Sequence, residues 1–149
     1  MRCCDVIKEP LVTCHPTDTV RACAELMKLH NVGFLPVVDA EKKLVGVLTD
    51  RDLALRVVAE GKPPLTEARE VMTYEVIAVP ATADFTAAEK AMADARKSRV
   101  PLVNDAGICT GVLSLSDIAQ TDSRWRAGKV FQEVTRREAS PSHTPWNVV

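Results

Sequence analysis

Between residues 20 and 29 the apolar side chains Val20, Cys23, Ala24 and Met27 fall at i, i+3, i+4 and i+7, so they share one face of a helix. That face is core, and Met27 needs no other explanation. Ahead of it, Pro10-Leu11-Val12-Thr13-Cys14 reads as a short strand, stopped by His15-Pro16-Thr17-Asp18, where proline and a capping side chain end one element and open the next. After it come two apolar, largely β-branched runs, 35–38 and 44–48. The charged turn Asp39-Ala40-Glu41-Lys42-Lys43 between them predicts a hairpin. A second helix is expected from about Asp50, closing at Gly61.

The same order then returns: strand 76–79, helix 86–97, strand 100–103, turn Asn104-Asp105-Ala106-Gly107, strand 109–113 and a helix from Leu115. Gly46-Val47-Leu48-Thr49-Asp50-Arg51-Asp52 is matched by Gly111-Val112-Leu113-Ser114-Leu115-Ser116-Asp117. Pro36 returns as Pro101, an offset of 65, and Met27 returns as Met92. The chain is an internal duplication of a β-α-β-β-α unit, which sets the fold class as mixed α/β, of the α+β type. A unit of about 60 residues buries too little surface to be secure alone, so the two copies are expected to pack as one pseudo-symmetric body. The expected boundaries are 1–62 for the first unit, 63–66 for a linker marked by Pro63-Pro64, and 67–122 for the second unit. Residues 123–149 remain for a C-terminal helix, about 130–137, and a polar, turn-rich tail.

Composition narrows the function mostly by exclusion. A formal net charge of -1 over 149 residues offers no global field for nucleic acid or an anionic membrane, and the basic residues are interleaved with acids except near Arg124, Arg126, Lys129, Arg136 and Arg137. No apolar run approaches the roughly 20 residues of a spanning helix, and the N-terminus lacks a secretory apolar core, so a cytoplasmic protein is expected. Cys3, Cys4, Cys14, Cys23 and Cys109 lack paired metal-ligand spacing and read as reduced thiols in small apolar spaces. His15, His30 and His143 are scattered. Nothing supplies an activated nucleophile, a metal cage or a phosphate-cradling glycine loop, so neither catalysis nor a catalytic cofactor is expected.

The paired Gly-apolar-apolar-Thr/Ser-x-x-Asp signatures, the Pro36-Val37-Val38-Asp39 strand and Val71-Met72-Thr73 at the entry to the second unit resemble tandem CBS domains, the Bateman module, over about residues 4–120. The resemblance implies a stand-alone regulatory sensor that binds an adenosine-containing molecule (AMP, ADP or ATP, or in some members S-adenosylmethionine or NAD) in clefts between the units. It further implies a homodimer and a regulated partner protein that the sequence does not identify. By that resemblance Asp52 and Asp117 read the ribose hydroxyls, where a carboxylate accepts charge-assisted hydrogen bonds. Thr49, Ser114 and Ser116 with Arg51 lie at the strand-to-helix junctions where a phosphate would sit, and Arg99 supplies a guanidinium to it. Because Phe34 stands in the first copy where Arg99 stands in the second, the Asp117 cleft is expected to be the better equipped for phosphate. Ile7, Val12 and Val32 are expected to wall that cleft, and Val71, Ile77 and Val100 to wall the Asp52 cleft.

A second reading of the same residues stays open. Thr49-x-x-Asp52 and Ser114-x-x-Asp117 are also helix capping boxes that need no ligand. On that reading the chain is a nucleotide-independent dimerisation or scaffold module, its tail (Trp125, Trp146) lent to a partner.

Overall fold

The computed structural model describes residues 1–7, 10–121 and 124–136. In the first unit helix α1 (Val20–His30) is capped by the Thr19 hydroxyl, which accepts from the Ala22 N–H, and it ends where Asn31 turns left-handed at φ 52°. Strands β1 (Phe34–Val38) and β2 (Leu44–Thr49) form the expected antiparallel hairpin. Helix α2 (Asp50–Leu53) follows, and from Ala54–Val58 it widens into a π-helical turn. In the second unit β3 (Val79–Pro80) runs parallel to β4 (Arg99–Val103), which pairs antiparallel with β5 (Cys109–Ser114). Helix α3 (Phe85–Ala95) lies between β3 and β4, and α4 (Leu115–Thr121) follows β5. The caps repeat with the sequence: Asp84 stands in for Thr19, and Arg96, at φ 53°, for Asn31.

The opening strand of each copy is shorter than expected. In the first, only Cys14 pairs, donating to the Pro36 carbonyl and accepting from the Val38 N–H. Prolines at 10 and 16 lack the N–H a longer ladder needs. The C-terminal helix is longer than expected: α5 (Arg124–Thr135) sets Val130 and Val134 into the core under α3. The tail beyond residue 136, with Trp146, lies outside the described residues.

Each unit is completed by chain from the other. Cys3 is fully buried in the second unit's core with Val79, Met92, Val100 and Leu113, while its repeat counterpart Ala68 is fully buried in the first unit's core with Val71 and Met72. The exchange is reciprocal in detail, since the bridge Thr19↔Glu67 recurs, at the same offset, as Arg2↔Asp84. Val47 on β2 gives and takes backbone hydrogen bonds with Thr73, at 3.0 and 2.9 Å. Spatially, then, residues 1–7 belong with the second core and 66–73 with the first.

The signature glycines permit this crossing. A Cβ on Gly46 would lie 2.8 Å from the Met72 sulfur, and one on Gly111 would lie 2.7 Å from Ile7 Cδ1. Only a residue without a side chain lets the exchanged segment lie this close on the strand.

Candidate functional site

One cleft of about 610 Å³ opens between the units, a volume in the range of small-molecule sites. The first unit lines it with Gly33, Phe34, Val47, Thr49, Asp50, Arg51, Asp52 and Arg56. The second contributes Val76 and Ile77 ahead of β3, and Lys97, Ser98, Arg99 and Pro101 at the start of β4, while Thr73 and Glu75 come from the crossing segment. The duplication therefore puts the glycine-to-aspartate signature of one copy opposite the strand entrance of the other.

Thr49 ends β2 and caps α2. Its hydroxyl accepts from the Asp52 N–H at 3.1 Å, and Asp52 Oδ2 accepts from the Thr49 N–H at 3.0 Å, a closed capping box. The other carboxylate oxygen, Oδ1, lies 3.5 Å from the Arg56 guanidinium. A carboxylate offers about four acceptor sites and these contacts use two, which leaves capacity for two hydroxyl donors. The Asp52 side chain is 14% exposed and lines the cleft. Arg51, Arg56, Lys97 and Arg99 bring four cations to the lining, against Asp50, Asp52 and Glu75. With Asp52 and Arg56 paired, the remaining groups are Arg51, Lys97 and Arg99 facing Asp50 and Glu75, a cationic balance suited to an anionic group.

Of the residues expected at the site, Thr49, Arg51, Asp52, Ile77 and Arg99 line this one cleft. Arg99, expected on the Asp117 side, lines the Asp52 cleft and also stands opposite Ser114 in the β4–β5 pairing. It starts β4, the strand whose first residues border the opposite unit's signature. Phe34, its repeat counterpart, lines the same cleft and gives it a flat apolar wall. Val100 is corrected: side chains alternate along β4, and Val100, fully buried, points into the core with Leu102 and Met92. Val71 is likewise buried, in the first unit's core, so Val76 takes the place expected of these two valines.

Ser114, Ser116 and Asp117 lie outside the lining of this cleft. Asp117 is 9% exposed, and Ser114 donates both its N–H and its hydroxyl to Oδ2 of Asp117. Ile7 sits over Gly111 against the second core, while Val12 and Val32 pack against the first. Arg56, Lys97 and Ser98 were not anticipated. The i,i+4 spacing of Asp52 and Arg56 is the sequence signal that identifies the first of them.

The cysteines play no part in the cleft. Cys3, Cys14, Cys23 and Cys109 are buried, and burial pushes the Cys3 and Cys109 thiols above their usual range, which keeps them protonated and unreactive. Among the described residues no three His, Cys, Asp or Glu side chains gather as a metal cage, and no helix is long and apolar enough to cross a membrane.

The CBS domain family model matches residues 3–59 and 68–123, and the chain belongs to that family. It is 36% identical to the CBS domain-containing protein YhcV of Bacillus subtilis over 89% of this chain and 94% of that one. Among solved structures it resembles the CBS domain protein PAE2072 of Pyrobaculum aerophilum complexed with AMP, at a TM-score of 0.75 and 26% identity, covering 89% of this chain and 99% of that one. It also resembles the CBS domain pair of protein MJ0100 in complex with 5'-methylthioadenosine and S-adenosyl-L-methionine, at a TM-score of 0.72 and 28% identity, covering 80% and 94% of the two chains. The chain spans 61% of one archaeal relative and 22% of an inosine-5'-monophosphate dehydrogenase of Methanocaldococcus jannaschii.

Proposed function

We propose that this protein is a ligand-sensing CBS pair that binds an adenine nucleotide in the Asp52 cleft and passes its occupancy to a partner protein. The observation that carries this reading is the gathering of a ribose-type carboxylate, a flat apolar wall and three cations against two further carboxylates around one cleft of about 610 Å³. Asp52 accepts the vicinal ribose hydroxyls, while Phe34, Val76 and Ile77 flank the base. Arg51 and Arg99 hold the phosphate, with Thr49 as a neighbouring donor. The AMP complex of PAE2072 supports the ligand class, and the cationic lining favours a phosphate over the sulfonium of S-adenosylmethionine. Ser114, Ser116 and Asp117 form the equivalent junction in the second unit, where Asp117 is nearly buried and accepts from the Ser114 N–H and hydroxyl. A ligand acts on the partner only through its differential affinity for two states of the module.

A thermal-shift panel of AMP, ADP, ATP, NAD and S-adenosylmethionine tests this. Ligand at about 100 times its dissociation constant adds about 2.7 kcal/mol to stability, which is readily visible as a rise in Tm. A flat response across the panel favours the scaffold reading instead, to which the closed capping boxes of both signatures lend support. Within the nucleotide reading, Arg99→Ala is expected to weaken AMP by about tenfold, the cost of one charge-assisted contact, and adenosine hardly at all. Equal losses for the two ligands, read by calorimetry, would remove Arg99 from the phosphate.

We further propose a homodimer. Leu29, Leu55 and Val58 of the first unit are 77%, 51% and 78% exposed, and their repeat counterparts are the polar Asp94, Gln120 and Ser123. Such exposed apolar side chains on α1 and the π-helical turn support pairing through the first unit's helices. Light scattering at micromolar concentration should return twice the chain mass, and the single-chain mass would remove the proposal.

A further inference from the structure

We infer that Arg56 is a positioning residue that straps the Asp52 carboxylate to the exchanged segment 71–73. Holding a ligand in the cleft and holding the two units together then become one coupled event. The inference rests on the nucleotide reading above for its ligand, but its geometry stands apart from it. One guanidinium nitrogen of Arg56 lies 3.5 Å from Asp52 Oδ1, while the other donates to the Val71 carbonyl at 2.7 Å and to the Thr73 hydroxyl at 3.2 Å. Thr73 is in turn the residue that pairs through its backbone with Val47 on β2. A planar fork with donors on both edges can serve the two sides at once, which the single ammonium of a lysine cannot.

Two features mark this as specific to the first unit. Arg56 lies in a π-helical stretch, in which the Ala59 N–H donates to the Ala54 carbonyl, five residues back. Such turns have poorer hydrogen-bond geometry than α-helix and collect at functional sites. In the second unit the equivalent helix α4 is regular to Thr121, and Thr121 itself is the counterpart of Arg56. The Asp52 cleft is therefore wired to the crossing segment by a contact that Asp117 has no arginine to make at that position. A ribose that draws on the free acceptor sites of Asp52 fixes the carboxylate, the carboxylate fixes Arg56, and Arg56 fixes residues 71–73.

Hydrogen exchange read by mass spectrometry on the full chain tests the strap. Arg56→Met keeps the apolar stem and removes the fork. It is expected to speed exchange of the Thr73 amide by about tenfold, with Arg56→Lys intermediate and Asp52→Asn shifted in the same direction. AMP should slow that amide in the wild type, and in Arg56→Met this slowing should be lost while calorimetry still detects AMP bound. An unchanged Thr73 amide in Arg56→Met overturns the strap, as does AMP binding to the wild type without slowing it, or the same slowing in Arg56→Met as in wild type. If no adenine compound binds the wild type, the nucleotide reading fails. The ligand-free exchange of Arg56→Met and Asp52→Asn then judges the strap alone, and exchange at the wild-type rate in both sinks it.

Discussion

Gly111→Ala is expected to destabilise the protein by about 2–3 kcal/mol, the upper part of the range for overpacking a close contact. The new methyl would meet three atoms of Ile7 between 2.7 and 3.0 Å, among them Cγ2, which is fixed at the branch point and cannot swing aside. Gly46→Ala, at the equivalent place in the first unit, is expected to cost about 1 kcal/mol. There the nearest atom is the sulfur of Met72, at 2.8 Å, on a side chain that adapts easily, although the Thr73 carbonyl at 3.0 Å limits the relief. Urea unfolding distinguishes the two through their midpoints at constant slope. Trimming Ile7 to alanine should cost about 2 kcal/mol alone, yet less than that in the Gly111→Ala background, because the two changes relieve one clash. Equal midpoints for Gly111→Ala and wild type would mean that the exchanged N-terminal segment does not dock on β5 as described.

Asp52→Ala is expected to weaken nucleotide binding at least about tenfold, while costing only about the 1 kcal/mol of a lost cap. The binding loss exceeds the stability loss because the carboxylate has two acceptor sites left for ribose hydroxyls after its cap and its pairing with Arg56. Asp117→Ala makes the control. Asp117 is nearly buried and held by the Ser114 N–H and hydroxyl, so its removal is expected to lower stability and leave affinity in the Asp52 cleft within about twofold. Calorimetry and urea melts on the two variants separate the roles. A stability loss in Asp52→Ala with unchanged affinity would reduce Asp52 to a cap.

The duplication carried most of the fold because a repeat offset of 65 constrains every element twice, from the caps Thr19 and Asp84 to the left-handed turns at Asn31 and Arg96. Helices α1 and α3 and strands β2 and β5 each bury one face, whereas β1 and β4 were legible as apolar runs because consecutive residues along them are buried. What a repeat cannot reveal is which copy completes which. The segment 71–73 precedes the second unit in sequence yet packs on the first, and Arg99 stands opposite Ser114 of its own copy while lining the cleft that holds Asp52. Apolar residues misled in the same way: Val100 and Val71 have the character of a pocket wall, but strand alternation and the exchange turn them into the cores. Arg56 has Thr121 as its counterpart, and a comparison of the two copies highlights only what they share.

A crystal structure of the protein with AMP is the sharpest test of Asp52 as the ribose-binding carboxylate. One nucleotide per chain is expected in the cleft between the units, its ribose hydroxyls within hydrogen-bond distance of Asp52 and its phosphate beside Arg51 and Arg99. AMP seated elsewhere on the chain, with Asp52 bound only to Thr49 and Arg56, would contradict it.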